Sequence, residues 1–421
     1  MVTDFPVPDG YRVLESDTVL AVLAGNSELT AVLGGAPSAW SAREVSDGNM
    51  NRVFLVEGPS GGVAAKQALP WIRVVEDWKF PVSRIDYEVA ALRQMATFAP
   101  GRVPEVLAYE PALGLAVLEL LAPHIVLREG LVAGKIYPNL ADQAGDFLSF
   151  SLYRGSDFAL DTETKKALVA RFAGNAHLCA TTEDVVFTGP YHAAPLNRWT
   201  SPQLDDDVRA LRGDTDAKLA AAELKRRFRT ATESLIHGDL HTGSFMVTET
   251  DTRAIDFEWA LYGPMGFDAG ALIGNLLLAW ISQAGHAEER GEDRRPVTDW
   301  LEQAIPTLWE RFTAGFLDLG ERENEGGQFP AELFSESAPI KGALRRFLDH
   351  VWRDAVGFAG AKMIRRIVGI SHVADFEAIN DPDLRAGRER IALRLARSMI
   401  VERDLYPDPV TLVRAARAVM R

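Results

Sequence analysis

The sequence predicts an α+β protein with a sheet-based first lobe and a larger, mainly helical second lobe. Residues 40–119 show the pattern strand–strand–strand–helix–strand–strand. After about residue 122, apolar residues recur at helical spacing for most of the remaining chain. The 421 residues are 47% hydrophobic and 25% charged, which is typical of a globular protein with a large core. We expect domains at 1–122 and 123–421, joined by a hinge near residues 119–123.

The first lobe is expected to begin with a helix at about residues 17–24, capped by Ser16 or Asp17. Two strands are predicted on either side of a turn at residues 47–49, and a third over residues 63–69. The segment 83–98 carries apolar residues at helical spacing and predicts a helix. Two more strands are expected between residues 103 and 120, whereas the aromatic-rich segment 71–80 is expected to be a loop.

The second lobe is predicted to be helical except for a β-rich island at residues 234–263. Two polar segments, residues 286–296 and 320–330, are expected to form mobile surface loops. Helices are expected near residues 139–154, 161–179, 205–211, 215–231, 267–283, 297–319, 340–369 and 383–402.

Charge and cysteine content exclude several classes of protein. The 45 basic and 59 acidic residues give a net charge of −14, which disfavours a sequence-independent nucleic-acid binder. Cys179 is the single cysteine, so neither an intrachain disulfide nor a cysteine-based metal site is expected. No signal peptide is apparent, and the longest apolar run, residues 271–281, is too short to cross a bilayer. We therefore expect a cytoplasmic protein that binds neither nucleic acid nor membrane.

Acidic residues concentrate in the β-rich island. Asp239 lies in the loop sequence His237-Gly238-Asp239, and Asp256 and Glu258 follow it at the end of a short strand. Three carboxylates at the ends of adjacent strands suit a hard divalent cation or a base facing a substrate hydroxyl. The alternative is that Asp239 caps a turn and that Asp256 and Glu258 are solvated.

Two charged residues of the first lobe favour the catalytic interpretation. Lys66 lies in the middle of an otherwise apolar strand, and Glu88 lies on the apolar face of the following helix. Each alone could be a rim residue whose aliphatic stem extends to water. Together with Asp239 and Asp256, they follow the order of the groups that serve phosphoryl transfer in kinases: lysine, helix glutamate, catalytic aspartate and metal aspartate.

The island sequence HGDLHTGS, followed by IDFE, resembles the aminoglycoside/choline kinase superfamily. Over residues 11–400 the chain is similar to the methylthioribose kinases of that superfamily. The segments that carry this resemblance are EVSDGNMNRVFLV, KQALP, HGDLHTGSFMV, IDFEWALYGPMGFDAGALIGNLLLAW, KMIRRIVGISHVADFE and RAGRERIALRLAR. It implies a protein-kinase-like two-lobed fold, with a small antiparallel-sheet N-lobe and a large mainly helical C-lobe. It also implies transfer of the ATP γ-phosphate to the 1-hydroxyl of methylthioribose in methionine salvage, with Mg²⁺, by a homodimer.

The resemblance also implies which residues bind the nucleotide. Lys66, held by Glu88, would contact the α- and β-phosphates, and backbone groups of Glu119 and Leu121 would contact adenine. The loop over the phosphates would be formed by Asp47, Gly48, Asn49 and Asn51. That loop has one glycine, so without the downstream lysine a plain hairpin turn would be the better interpretation.

The resemblance also implies which residues are catalytic and which bind the metal. Asp239 would face the sugar hydroxyl, while Asp256 and Glu258 would hold Mg²⁺. Ser244 stands where protein kinases place a metal-binding asparagine, and its hydroxyl suits a water-mediated link better than a direct bond.

The resemblance assigns sugar binding to residues late in the chain and to one aromatic residue. Arg365 and Arg366 would bind the sugar and the transferred phosphoryl group, and Trp78 would belong to a lid over the substrate. With Lys362, however, the two arginines form a basic stripe, and such a stripe is typically a solvated helix face.

Two other functions remain open at this point. One is a kinase of a related 5-deoxypentose or another small alcohol on the same fold. Aminoglycosides fit poorly, because Arg365 and Arg366 would repel polycations. The other is a nucleotide-binding pseudokinase. The presence of Lys66, Asp239 and Asp256 argues against it, because a non-catalytic protein has no chemical need for all three.

Overall fold

The computed structural model describes residues 5–45, 50–73, 75–323, 326–330, 332–334 and 336–420. These form two compact units. The first comprises the described residues up to His124 together with Arg253–Ala260, and the second comprises Ile125–Thr252 and the described residues from Leu261 onward. Asp47, Gly48 and Asn49, which were expected to cover the phosphates, lie outside the described residues.

The first unit is built on a five-stranded antiparallel sheet. The elements of this unit are α1 (Ser16–Ala24), α2 (Ser27–Leu33), β1 (Ser41–Val45), β2 (Asn51–Glu57), β3 (Gly62–Ala68), β4 (Trp71–Ile72), β5 (Val75–Lys79), α3 (Arg84–Phe98), β6 (Val106–Glu110) and β7 (Leu115–Glu119). The strand order of the sheet is β1-β2-β3-β7-β6. Lys66 lies on the central strand β3, paired with Val53 on one side and Ala116 on the other.

Two local predictions for this unit are wrong. The cap of α1 is Glu15, since its amide donates to Thr18 Oγ1 at 2.6 Å, and not Ser16 or Asp17. Most of the described part of the segment 71–80 is strand and not loop, because β4 and β5 pair in a small antiparallel hairpin.

The second unit is largely helical, as predicted. It contains β8 (Ile125–Val126), α4 (Leu127–Val132), α5 (Leu140–Arg154), α6 (Thr162–Phe172), α7 (Ala176–Phe187), α8 (Asp205–Gly213), α9 (Thr215–Thr230), β9 (Ser234–Ile236) and β10 (Phe245–Val247). The short strand β11 (Thr252–Ala254) begins in the second unit and ends in the segment assigned to the first. The second unit then continues with β12 (Leu261–Gly263), α10 (Met265–Arg290), α11 (Arg295–Arg322), α12 (Ser337–Val368), α13 (Ala374–Glu377), α14 (Pro382–Val401) and α15 (Pro409–Met420).

Three boundaries differ from the prediction. The helix expected over residues 161–179 is two helices, because the chain breaks between Phe172 and Ala176. The loop expected at residues 286–296 is mostly helix, since α10 continues to Arg290 and α11 begins at Arg295. The segment 320–330 also begins within α11. Charged residues on the exposed face of a helix were misread there as a loop.

Helices α10 and α12 form the centre of the second unit and approach each other closely. A Cβ atom on Gly270 would lie 2.4 Å from the Ala355 carbonyl oxygen, and one on Gly274 would lie 2.9 Å from that of Ala359. We call this contact, with Gly266 at its N-terminal end, the glycine seam. Helix α10 is long and apolar enough to span a membrane, but its most apolar 18-residue window is fully buried within the protein.

Candidate active site

Lys66 occupies the centre of a charged cluster in the first unit. Its ammonium nitrogen lies 2.8 Å from Glu88 Oε1 and 2.5 Å from Asp256 Oδ1. The strand β3 supplies the lysine, and α3 supplies the glutamate on the face that it buries. The structure therefore brings together the strand lysine, the helix glutamate and the aspartate of the Asp-x-Glu pair.

The cluster has unusual proton affinities. Burial disfavours the charge on Lys66, but Asp256, Glu88 and Glu258 outweigh burial and raise the pKa of the lysine. Burial raises the pKa of Glu88 to about 7, although Lys66 opposes that shift. A buried carboxylate of this kind is strongly stabilised by added positive charge.

Asp256, Glu258 and Glu88 present oxygen atoms that all lie within 4.8 Å of one another. Asp256 adopts a left-handed backbone conformation with φ of 71°, and the buried Glu258 follows two residues later. Such a φ is uncommon for residues other than glycine, although aspartate adopts it more readily than most, and it turns the chain sharply between the two carboxylates. Glu88 Oε2 is buried and has no hydrogen-bond partner among the described residues. Carboxylate oxygens at this spacing fit a hard divalent cation.

Arg84 is a buried member of the cluster that the sequence analysis missed. Its Nε lies 3.1 Å from Glu258 Oε2, and Asn51 Nδ2 donates to the same oxygen at 3.0 Å. Its guanidinium also donates to Asn51 Oδ1 at 3.0 Å and to the carbonyl oxygen of Leu69 at 2.8 Å. In the sequence, Arg84 precedes Glu88 by one helical turn. This spacing could have indicated that the two residues share the buried face of α3.

The remaining candidate residues of the first unit lie at strand ends or on the hairpin. Glu119 ends β7, and its carboxylate accepts the Glu105 amide at 3.2 Å. Leu121 is buried just beyond. Trp78 is partly buried on β5, with its ring centroid 5.4 Å from that of Phe80. Their roles toward adenine and sugar stay predictions.

In the second unit, the loop that carries Asp239 is fixed by buried hydrogen bonds. Asp268, in the first turn of α10, accepts the amides of His237 at 2.6 Å and Gly238 at 3.0 Å. Gly238 has a φ of +84°, which glycine tolerates without strain. Ser244 Oγ donates to the Asp239 carbonyl oxygen at 2.8 Å. The serine therefore braces the loop, and its metal role stays a prediction.

The Asp239 carboxylate is surrounded by positive and hydrogen-donating groups. Lys362 Nζ lies 2.6 Å from Oδ1, while His241 Nε2 and Arg366 Nη2 lie 3.3 Å and 3.5 Å from Oδ2. Burial opposes its charge, but Lys362, His241 and Arg366 hold the pKa of Asp239 well below its usual range. Asp239 is thus a permanent carboxylate at neutral pH.

His241 braces this arrangement in its neutral form. Its Nδ1 accepts the Gly243 amide at 2.9 Å and lies 3.1 Å from Arg128 Nη2, so Nε2 carries the proton that faces Asp239. Burial lowers the pKa of His241 to about 3. His241 therefore orients Asp239 and carries no charge at neutral pH.

Arg365 and Arg366 are buried, so the interpretation of their stripe as a solvated helix face is wrong. Their residues are 8% and 5% exposed near the end of α12. Arg365 Nε and Nη1 and Arg366 Nε are buried without hydrogen-bond partners among the described residues. Burial lowers the pKa of both arginines. Unsatisfied guanidinium donors beside a carboxylate suit an oxygen-rich ligand.

Arg128 and Asp375 also belong to this cluster and were not anticipated. Arg128 Nε lies 3.3 Å from Thr242 Oγ1 and 3.6 Å from Asp375 Oδ2. Asp375 is buried on α13, and burial raises its pKa. Because both residues lie far in sequence from Asp239, no local pattern pointed to them.

Comparison with known proteins identifies the family. Residues 41–302 match the phosphotransferase enzyme family. The methylthioribose kinase of Escherichia coli O45:K1 (strain S88 / ExPEC) is 40% identical over 415 residues, covering 98% of this chain and 99% of its own. Methylthioribose kinase 1 of Oryza sativa subsp. japonica is 41% identical over 401 residues, covering 94% and 93%. The chain belongs to the methylthioribose kinase family.

Membership of the methylthioribose kinase family confirms the resemblance, the enzyme class and the kinase-like fold class expected from the sequence. The protein is accordingly a kinase, which is a phosphotransferase. Among solved structures, a choline/ethanolamine kinase family protein from Mesorhizobium loti is 16% identical, with 95% of this chain and 99% of that chain covered and a TM-score of 0.40.

Proposed function

We propose that the protein transfers the γ-phosphate of ATP to the 1-hydroxyl of S-methyl-5-thioribose, a step of methionine salvage. The observation that carries this proposal is the Asp239 carboxylate, kept ionised by Lys362, His241 and Arg366 and lying near the buried Arg365. The proposal is supported by the methylthioribose kinases that are about 40% identical to this chain over nearly its whole length.

The first unit would bind the nucleotide and its metal. Lys66 would contact the phosphates as a point charge. Backbone groups of Glu119 and Leu121 would meet adenine, while Asn51 and the loop of Asp47, Gly48 and Asn49 would cover the phosphates. When bound, Mg²⁺ would neutralise negative charge that develops on phosphate oxygens. Asp256 and Glu258 would hold it, and the unpartnered oxygen of Glu88 supports a cation there.

Asp239 would act on the sugar hydroxyl by position more than by basicity. Because its pKa is held low, it is a weak base in the ground state. A loose phosphoryl transition state requires little proton removal early, so a weak base is adequate. The carboxylate would orient the hydroxyl oxygen toward the γ-phosphorus and accept its proton late, as the bond to ADP breaks.

Arg365 and Arg366 would bind the sugar hydroxyls and the transferred phosphoryl group. Three of their buried nitrogen atoms lack partners among the described residues, which supports this role, since buried guanidinium nitrogen atoms ordinarily have hydrogen-bond partners. Trp78 would form part of the apolar wall for the methylthio group. We further propose a cytoplasmic homodimer that binds neither nucleic acid nor membrane.

A substrate panel tests the proposal. Purified protein would be assayed with MgATP and methylthioribose, 5-deoxyribose or kanamycin, with ADP release and phosphosugar formation measured separately. We expect turnover of methylthioribose, reduced or comparable turnover of 5-deoxyribose, and none of kanamycin. Methylthioribose and 5-deoxyribose differ by one apolar substituent, which is worth only about 1–3 kcal/mol of discrimination.

Two outcomes would replace the proposal. Turnover of another small alcohol, but not of methylthioribose, would assign a related small-alcohol kinase. Nucleotide binding without transfer to any member of the panel would favour a pseudokinase.

A further inference from the structure

Lys362 makes the shortest contact to the Asp239 carboxylate and has no role in the function proposed above beyond its charge. Its Nζ lies 2.6 Å from Oδ1, and its side chain is 3% exposed. The ammonium also lies 4.5 Å from the centroid of the Phe267 ring. Helix α12 supplies the lysine, whereas α10 supplies the ring and also Asp268, which holds the Asp239 loop.

The two oxygen atoms of Asp239 are therefore unequal. Oδ1 has a short, charge-assisted contact with Lys362, whereas the contacts of Oδ2 with His241 and Arg366 are 3.3 Å and 3.5 Å long. An aspartate carboxylate has a broad preference for its terminal torsion, so it does not select an orientation by itself. A fixed donor at one oxygen selects it.

We propose that Lys362 is a positioning residue that holds Asp239 by Oδ1, so that Oδ2 faces the substrate hydroxyl. This inference rests on the proposed function, because it assigns the hydroxyl to Asp239. The orientation matters because an acceptor that is misplaced by about 1 Å can lose on the order of 10²-fold in rate.

Another buried lysine of the same unit provides a matched control. Lys165 Nζ lies 2.6 Å from Asp157 Oδ2 and 5.3 Å from the Tyr262 ring centroid. Its side chain is 4% exposed. It has the same kind of carboxylate and aromatic neighbours as Lys362, but its partner is not a candidate site residue. If breaking a buried ion pair were by itself enough to lower kcat, then kcat should fall both when Lys362 and when Lys165 is replaced.

The experiment compares Lys362→Met and Lys165→Met by steady-state kinetics and thermal unfolding. We expect Lys362→Met to lower kcat by about 10²-fold and to leave the KM for ATP within about threefold of wild type. Lys165→Met should lower thermal stability and leave kcat within about threefold. A kcat of Lys362→Met within threefold of wild type would overturn the proposal.

A double-mutant cycle separates positioning from a general structural role. If Lys362 acts through Asp239, then Lys362→Met should change kcat by less than about threefold in an Asp239→Asn background. Additive losses would overturn the proposal. If Lys362→Met does not fold, Lys362→Gln is carried through the same cycle, with the same expectation and the same contradicting result.

Wild-type turnover keeps this test separate from that of the proposed function. Absence of methylthioribose phosphorylation by the wild-type enzyme would contradict the proposed function alone. The double-mutant cycle would then be measured with whichever panel substrate is phosphorylated. Additive losses of kcat in Lys362→Met and Asp239→Asn would overturn the role of Lys362, and non-additive losses would support it. If no panel substrate is phosphorylated, Asp239 has no substrate hydroxyl to orient. That result would contradict both the proposed function and the role of Lys362.

Discussion

Arg84 and Glu258 form a buried ion pair, with Arg84 Nε 3.1 Å from Glu258 Oε2 and side chains that are 0% and 4% exposed. The arginine begins α3, and the glutamate follows the left-handed turn at Asp256. The pair thus connects the helix that carries Glu88 to the segment that carries the expected metal ligands.

We expect Arg84→Met to lower the free energy of unfolding by about 3–5 kcal/mol, because it breaks a buried ion pair and removes one of the cations that balance Glu258. The double variant Arg84→Met/Glu258→Gln should recover part of that loss, since both charges of the pair are then removed. Thermal unfolding of the single and double variants measures both effects. A double variant less stable than Arg84→Met would contradict this account.

Asp239→Asn should retain MgATP binding and lower kcat by about 10²–10⁴-fold, the usual span for loss of a positioned base. The asparagine keeps the shape of the side chain but removes its charge and its proton-accepting oxygen. Steady-state kinetics and a nucleotide titration check both parts. Turnover within about tenfold of wild type would assign the role to another residue.

Asp256→Ala should abolish metal-dependent turnover, whereas Glu258→Ala should weaken the metal dependence less completely. Asp256 is the more accessible carboxylate, with a side chain 42% exposed, and Glu258 Oε2 is already engaged by Arg84 and Asn51. Titrating Mg²⁺ against rate measures the midpoint of each variant. Midpoints equal to that of wild type in both would remove these residues from the metal site.

Arg365→Ala and Arg366→Ala should raise the KM for the sugar and lower kcat, with little effect on the KM for ATP. A guanidinium that binds ground-state hydroxyls changes KM, and one that binds the transferring phosphoryl group changes kcat. Lysine in place of either arginine should restore little, because a point charge lacks the planar fork. Varying both substrates gives the parameters, and wild-type sugar kinetics in both alanine variants would argue against this role.

Glu389 predicts a pH dependence of stability away from the site. It is buried on α14, and burial raises its pKa to about 7 from 4.5. Between these values the folded state keeps the proton and the unfolded state loses it, so stability falls as pH rises through this window. Wild type should lose about 1–3 kcal/mol relative to Glu389→Gln between pH 4.5 and 7. Thermal unfolding across that range checks this, and parallel profiles would contradict it.

Local pattern identified the part of the site that depends on neighbouring residues. The strand position of Lys66 and the helix-face position of Glu88 were visible as charges on buried faces, and the structure places them 2.8 Å apart. Lys66 and Glu88 needed only the period of their own strand or helix. The Asp239 loop and the Asp256–Glu258 pair were identified as carboxylates in a loop and at the end of a short strand, and the resemblance to kinases supported them.

The contacts that hold the Asp239 carboxylate could not be found in this way. Lys362 and Asp239 are separated by 123 residues, and their contact depends on how α12 packs in the second unit. The interpretation of the Lys362–Arg365–Arg366 stripe as a solvated face failed for the same reason. Helical spacing shows that charges share a face, but only tertiary packing decides whether that face is covered.

The glycine seam also has a genetic consequence. Helix α12 carries Lys362 and Arg366, and α10 carries Asp268, so the distance between two backbones sets the geometry around Asp239. A methyl group at Gly270 would meet the Ala355 carbonyl oxygen at 2.4 Å and force the helices apart. In a random-mutagenesis screen, inactive alleles that still bind ATP should therefore recur at Gly266, Gly270 and Gly274. Because the facing atoms at Gly270 and Gly274 are backbone atoms of Ala355 and Ala359, smaller side chains on α12 should not suppress the alleles at these two positions.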